Sequence, residues 1–243
     1  MTAKPAKTHL FLFDIDGTLI ASGGAGEYSM RLAVHDMFGV ENGLQGVEIA
    51  GRTDRLITRN VFKKFNQEWN VEKATKFLDL YLGHLAEELP RRNGRLLPGI
   101  LPLLQKLKAN PHIALALLTG NLERGAKIKL SHYGVWEFFE FGAFADDSHD
   151  RNQLGPFAQA RAHKRYGVEF PPERTFVLGD TPHDVECGRA INAKTVAIAT
   201  GGLTREQLAA CNPDFLFDDL SDVDSFLATL GIPSSTPCSA PKI

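Results

Sequence analysis

Three cysteines in 243 residues, Cys187, Cys211 and Cys238, are odd in number, far apart and form no CxxC pair. That excludes a disulfide framework or a cysteine zinc cluster and fits a reducing cytoplasm. Long apolar runs are also missing, so nothing could span a bilayer. The polar start from Met1 to His9 leads into an apolar run that breaks at Asp14, too short for a secretory signal core. Charge of one sign is not in excess. A formal net charge of -2 gives no electrostatic reason to expect nucleic acid or a membrane surface as partner. No internal repeat is present. What these absences leave is a soluble, cytoplasmic globular protein, long enough for one large domain or a domain carrying an insert. Nothing in the chain separates a monomer from a homodimer.

The stretch from Leu10 to Leu19 organises the rest. Leu10 to Phe13 is an apolar run of strand length, too short for a buried helix. Asp14 and Asp16 follow where the strand should run out, and ligands of parallel α/β sheets bind outside the carboxyl ends of strands. In extended chain two side chains two residues apart leave the same side of the backbone. Paired carboxylates repel unless a cation joins them or one is protonated. Gly17 permits a tight bend beside them, and Thr18 offers a hydroxyl to hold the turn.

After the glycine-rich joint Ala21–Gly26, helical spacing predicts three helices. The first carries Met30, Ala33, Val34, Met37 and Phe38 on one stripe and ends at Gly39. The second follows Gly51-Arg52-Thr53-Asp54, and the third runs from Val71 to Leu89. Beyond a second joint at Pro90–Gly94, helix and strand alternate. Strands are expected at 113–118, 138–145, 175–178, 195–199 and 214–217, with helices at 100–108, 126–133, 157–166 and 185–191. Alternation of this kind implies a Rossmann-like α/β core, a parallel sheet with helices on both faces. The opening strand belongs to that series. The core is therefore 1–21 plus 95–232, a small all-helical cap is inserted over 22–94, and the Ser/Pro-rich tail 233–243 is expected to be disordered.

Polar residues that end several strands of one parallel sheet meet at one edge. Asp14 and Asp16 end the first strand, Thr119 the second and Asp180 the fourth, with Asp184 at the start of the next helix. Asp184 could be a helix cap and Asp180 a turn residue. Four acids at one edge without compensation, however, would cost several kcal/mol. An all-oxygen site with few protein ligands and room for water suits Mg²⁺ better than zinc.

On these motifs the chain resembles the haloacid dehalogenase superfamily of phosphotransferases. The likeness is to the subfamily with a helical cap after the first strand, which includes phosphoglycolate phosphatase and β-phosphoglucomutase. Phe13-Asp14-Ile15-Asp16-Gly17-Thr18-Leu19 fits the first motif, Leu118-Thr119-Gly120-Asn121 the second, and Gly179-Asp180 through Asp184 the fourth. The third departs. Where relatives commonly have Lys followed by Pro-x-Pro, this chain reads Asp150-Arg151-Asn152-Gln153-Leu154. Arg151 falls at the lysine's position; Lys164, about two turns into the following helix, is the alternative.

The resemblance implies hydrolysis of a small phosphorylated metabolite through an aspartyl-phosphate. Asp14 would be the nucleophile and Asp16 the general acid and base. Mg²⁺ would be held by Asp14, the Asp16 backbone carbonyl and Asp180, with Asp184 orienting its waters. Thr119 and Arg151 would hold the phosphoryl oxygens, with Asn121 beside them on the substrate. Arg52 is the candidate for the substrate's other end, or it pairs with Asp54 or a nearby Glu. A phosphosugar mutase uses the same core residues and is the alternative. A non-catalytic binding protein on this fold would be free to lose Asp14 or Asp16, and both are present.

Overall fold

Residues 5–232 are described by a computed structural model, so the expected tail 233–243 lies outside the described residues. Along the chain, β1 (His9–Phe13) and β2 (Ile20–Ala21) are followed by α1 (Ala25–Phe38), α2 (Asp54–Lys64) and α3 (Val71–Glu88). Then come β3 (Arg95–Leu96), α4 (Ile100–Ala109), β4 (Ile113–Leu118), α5 (Glu123–His132) and β5 (Gly142–Ala143). The chain ends with α6 (Leu154–Tyr166), β6 (Thr175–Gly179), α7 (Pro182–Ala190), β7 (Lys194–Ile198), α8 (Arg205–Ala209), β8 (Phe215–Phe217) and α9 (Val223–Thr229). No described helix is long and apolar enough to cross a membrane.

Six strands form one parallel sheet in the order β5-β4-β1-β6-β7-β8. β1 sits inside it, paired on both edges, which is why Leu10 to Phe13 can be apolar without interruption. Alternation sorts its side chains between two layers. Phe11 and Phe13 join Leu115, Leu117, Phe176 and Leu178 in one core, where Phe11 stacks on Phe176 at 4.9 Å. Leu10 and Leu12 join Ala114, Ala116 and Val177 in the other, against Ala158 and Ala162 of α6. The small residues on both sides let that helix lie close to the sheet. The chain moves from β1 to β4 on one side and later to β6 on the other, so a crevice opens at the carboxyl end of β1.

The helical insert has its own core, built by α1, α2 and α3 around Val34, Ile57, Phe62, Phe77 and Tyr81. Phe62 and Phe77 meet edge to face at 6.2 Å. Leu122 and Ala145 of the sheet domain complete this cluster, so the insert packs directly over the crevice. At its base β2 and β3 pair antiparallel, a ladder of two residues on each side that no periodicity could announce.

Several elements differ from expectation. The strand expected over 138–145 shrinks to β5, preceded by a single 3₁₀ turn at Trp136–Phe138. β5 is an edge strand whose apolar neighbours serve packing instead of ladder pairing: Phe139 and Phe144 enter one core, and Phe141 packs against the other. Helices α5, α6 and α7 each begin three residues earlier than expected; α5 opens with exposed Glu123 and Arg124, which carry no apolar period. Pro182 at the first position of α7 fits that site because its missing N–H would have no partner there.

Candidate active site

Asp14 continues β1 by one residue, donating its backbone N–H to Leu178 O at 3.0 Å. The chain then bends. Gly17 adopts φ +81°, and a Cβ there would stand 2.3 Å from Asp180 Oδ2, so both conformation and space require glycine. Thr200 Oγ1 donates to Gly17 O at 2.6 Å and ties this bend to the loop after β7. In that loop Gly201 also approaches Asp180, with no room for a Cβ. Gly201-Gly202, which reads in the sequence as a turn, thus forms part of the site wall.

Asp14, Asp180 and Asp184 are buried and offer oxygens within 4.8 Å of one another. Asp184 stands in the first turn of α7, where its Oδ2 accepts from Thr181 N–H at 3.0 Å and Thr181 Oγ1 at 2.8 Å. Its Oδ1 takes the Arg151 guanidinium, whose Nη2 also lies 2.8 Å from Asp14 Oδ1. Arg151 is buried in a 3₁₀ turn held by Asp150, whose Oδ1 accepts from Asn152 N–H at 3.0 Å. Burial works against the guanidinium's charge, but Asp184 and Asp14 outweigh it and raise its pKa. Burial pushes the Asp14 carboxyl up to about 6 against the pull of Arg151. Burial, with Asp184 and Asp14 as neighbours, pushes Asp180 up to about 8.

These residues fit a divalent cation. One guanidinium offsets only part of three buried carboxylates, and the donors are all hard oxygens. Both Asp184 oxygens are occupied, whereas Asp14 Oδ2 and Asp180 Oδ2 have no hydrogen-bond partner among the described residues.

Asp16 goes elsewhere. The spacing suggests that its carboxylate leaves beside that of Asp14, yet the bend after β1 sends its Oδ2 to Lys129 Nζ at 2.6 Å and Asn121 Nδ2 at 3.0 Å. Lys129 Nζ also donates to Asn121 Oδ1 at 2.7 Å. Thr119 is fully buried, and its Oγ1 accepts from Asn121 Nδ2 at 2.9 Å; it is a support behind Asn121 and not a wall of the cavity. Arg52 stands in the cavity wall with Nη2 2.8 Å from Glu48 Oε2, so of its two expected partners it takes the Glu. Lys164 is exposed on α6, away from the cavity.

Two residues were given no place in the site by the sequence, Asp54 having entered only as a possible partner of Arg52. Lys129 is 3 % exposed although it is a lysine on a helix. It falls on the inner stripe with Gly125, Ala126 and Leu130, and a cation on an apolar stripe is a signal the sequence does carry. Asp54 is the other. Its backbone N–H donates to Gly120 O at 2.7 Å and its Oδ2 accepts from Leu122 N–H at 2.8 Å, so the start of α2 is fastened to the start of α5. Burial raises its carboxyl to about 7. Thr53 Oγ1 to His149 O at 2.6 Å and Arg151 Nη1 to Gly51 O at 3.0 Å complete this fastening of the insert over the crevice. The cavity beneath the insert measures about 270 Å³.

The sequence model for haloacid dehalogenase-like hydrolases matches residues 11–198. Pyrophosphatase PpaX of Oceanobacillus iheyensis is 23% identical over 222 residues, covering 87% of this chain and 93% of the relative. Probable phosphatase IndB of Dickeya dadantii is 26% identical over 236 residues, covering 95% and 98%. The crystal structure of a predicted phosphoglycolate phosphatase from Haemophilus somnus superposes with a TM-score of 0.68 at 21% identity, over 90% of this chain and 97% of that one. With acid-bearing strand ends gathered at the crevice under a helical cap, the chain belongs to the haloacid dehalogenase-like hydrolases.

Proposed function

We propose that the protein is a cytoplasmic, Mg²⁺-dependent phosphatase of a small phosphomonoester and works through an aspartyl-phosphate on Asp14. The observation that carries this reading is the buried group of Asp14, Asp180 and Asp184 with a single guanidinium among them. Free thiols at Cys187 and Cys211 fit the cytoplasm.

Asp14 and Asp180 would hold the ion with the Asp16 carbonyl, and Asp184 would orient its waters. When bound, Mg²⁺ offsets the repulsion between a carboxylate and a phosphate dianion. Arg151 steadies Asp14 at 2.8 Å, and one Asp14 carboxylate oxygen attacks phosphorus as the ester P–O bond breaks. Asp16, steadied by Lys129 and Asn121 at the cavity wall, gives a proton to the departing oxygen. It then takes one from the water that attacks the aspartyl-phosphate, releasing phosphate and restoring Asp14. Arg151 also lies where it can meet charge on the phosphoryl oxygens. The insert excludes bulk water while this happens.

The test is release of inorganic phosphate from an aryl phosphate. It should require Mg²⁺, stop with EDTA, and vanish in Asp14→Asn. Turnover that persists in Asp14→Asn would contradict the proposal. Interconversion of a hexose 1-phosphate and 6-phosphate without phosphate release would instead favour the mutase.

A further inference from the structure

The end of the cavity away from Asp14 and Asp180 is built from buried polar groups whose hydrogen-bonding capacity is not used up. Tyr81 of α3 is 1 % exposed, lines the cavity, and its hydroxyl has no hydrogen-bond partner among the described residues. Burial, with Asp54 and Asp16 nearby, keeps that hydroxyl protonated well past neutrality, so it is a donor. Lys129 lines the same wall. An ammonium has three N–H donors, and Asp16 and Asn121 take two of them. Asp54 accepts one N–H on Oδ2 and keeps Oδ1 without a partner among the described residues. The groups are neighbours: a Cβ on Gly26 would lie 3.4 Å from Lys129 Nζ and 4.0 Å from Tyr81 Oη. Open to one cavity, these groups can donate to and accept from a ligand together.

The basic residues of the same wall are already matched by acids. Three basic residues line the cavity, and each already faces an acid: Arg151 at Asp14 and Asp184, Lys129 at Asp16, Arg52 at Glu48. Five acids, Asp14, Asp16, Glu27, Asp54 and Asp180, line it with them. A leaving group carrying a carboxylate or phosphate would meet repulsion that the bound cation and the phosphoryl group do not relieve.

On the reading of the site as a phosphatase centre, we infer that the leaving group is an uncharged polyol, its hydroxyls read by Tyr81, Asp54 and Lys129. A hydroxyl both donates and accepts, so it matches a wall offering an O–H, an N–H and a carboxylate oxygen together; a carboxylate only accepts. The chain would thus differ in substrate from relatives named for pyrophosphate and phosphoglycolate.

The experiment compares kcat/KM for glycerol phosphate, phosphoglycolate, pyrophosphate and an aryl phosphate on the Mg²⁺-loaded full chain, in the parent and in Tyr81→Phe. Glycerol phosphate should exceed phosphoglycolate and pyrophosphate by at least about tenfold. Tyr81→Phe should lower the ratio of glycerol phosphate to aryl phosphate by roughly fivefold to twentyfold, at an unchanged melting temperature, because that hydroxyl holds nothing in the fold. Phosphoglycolate or pyrophosphate turned over as well as glycerol phosphate would overturn the inference, and so would an unmoved ratio in Tyr81→Phe. A preference for anionic substrates that disappears in Arg31→Ala would overturn it too, since Arg31 faces the adjoining cavity that shares Gly24, Glu27 and Ile49 with this one. If the aryl phosphate is turned over in all these cases, the phosphatase reading stands without the inference; if it is not, both fall.

Discussion

Two buried cations stand a short way apart in this site and have different surroundings. Arg151 lies between the buried Asp14 and Asp184, with its other terminal nitrogen on the partly buried Gly51 O. Lys129 reaches Asp16, whose side chain is 42% exposed to the cavity, and Asn121. The first cation makes it possible to bury three carboxylates at all. The second holds one carboxylate that must move protons and be met by substrate. The difference suggests a division of work: the guanidinium holds fixed carboxylates beside the reacting group, and the ammonium keeps a donor in reserve.

Removing the nucleophile should have the largest effect, with Asp14→Asn lowering kcat by on the order of 10⁴-fold or more in steady-state assays. The two cations should then part company. Arg151→Met leaves buried carboxylates without their partner and should destabilise the fold by roughly 3–5 kcal/mol in urea titrations, with part restored by Mg²⁺. Lys129→Met should cost about 10²-fold in activity while the melting temperature holds or rises, because a buried ammonium is replaced by an apolar chain of similar volume. Equal losses of stability in both variants would break the distinction.

Acidity sharpens the comparison further. The Asp14 and Asp180 carboxyls are raised to about 6 and about 8, so in metal-free protein their contribution is fully present below about pH 4 and is lost as pH rises through those values. Stabilisation by Mg²⁺, read as a melting shift, should therefore grow from pH 5 to pH 8. Asp54 behaves alike on the other side of the cavity. Its carboxyl is raised to about 7, and Asp54→Asn removes a group whose ionisation opposes folding. The stability of that variant relative to the parent should improve by roughly 2–4 kcal/mol between pH 4 and pH 8. A flat difference would mean that Asp54 is better solvated than its burial implies.

Much of this was legible in the chain because it is written in local pattern. The apolar run before Asp14, the alternation after Leu97 and the acids at strand ends predict the parallel core, the helical insert and the crevice. What was not legible depends on where an element's face lands. Tyr81 reads as one more residue of the inner stripe of α3, since periodicity reports that a side chain turns inward but not that its hydroxyl meets a cavity. Asp54 reads as an acid in a helix's first turn, and its bond to Leu122 N–H spans 68 residues of chain. Asp16 was visible as an acid beside Asp14, but its partner on α5 was not, because the bend at Gly17 decides which way it turns. Edge strand β5 and the ladder of β2 with β3 are too short for any period to show.

The most direct test of the central claim is acid-quenched peptide mass mapping of Asp16→Asn after incubation with an aryl phosphate and Mg²⁺. Without its base for the second step, the variant should accumulate one phosphoryl group per chain on the peptide carrying Asp14. Slow release of the aryl alcohol with no phosphoryl group found on Asp14 would contradict the account.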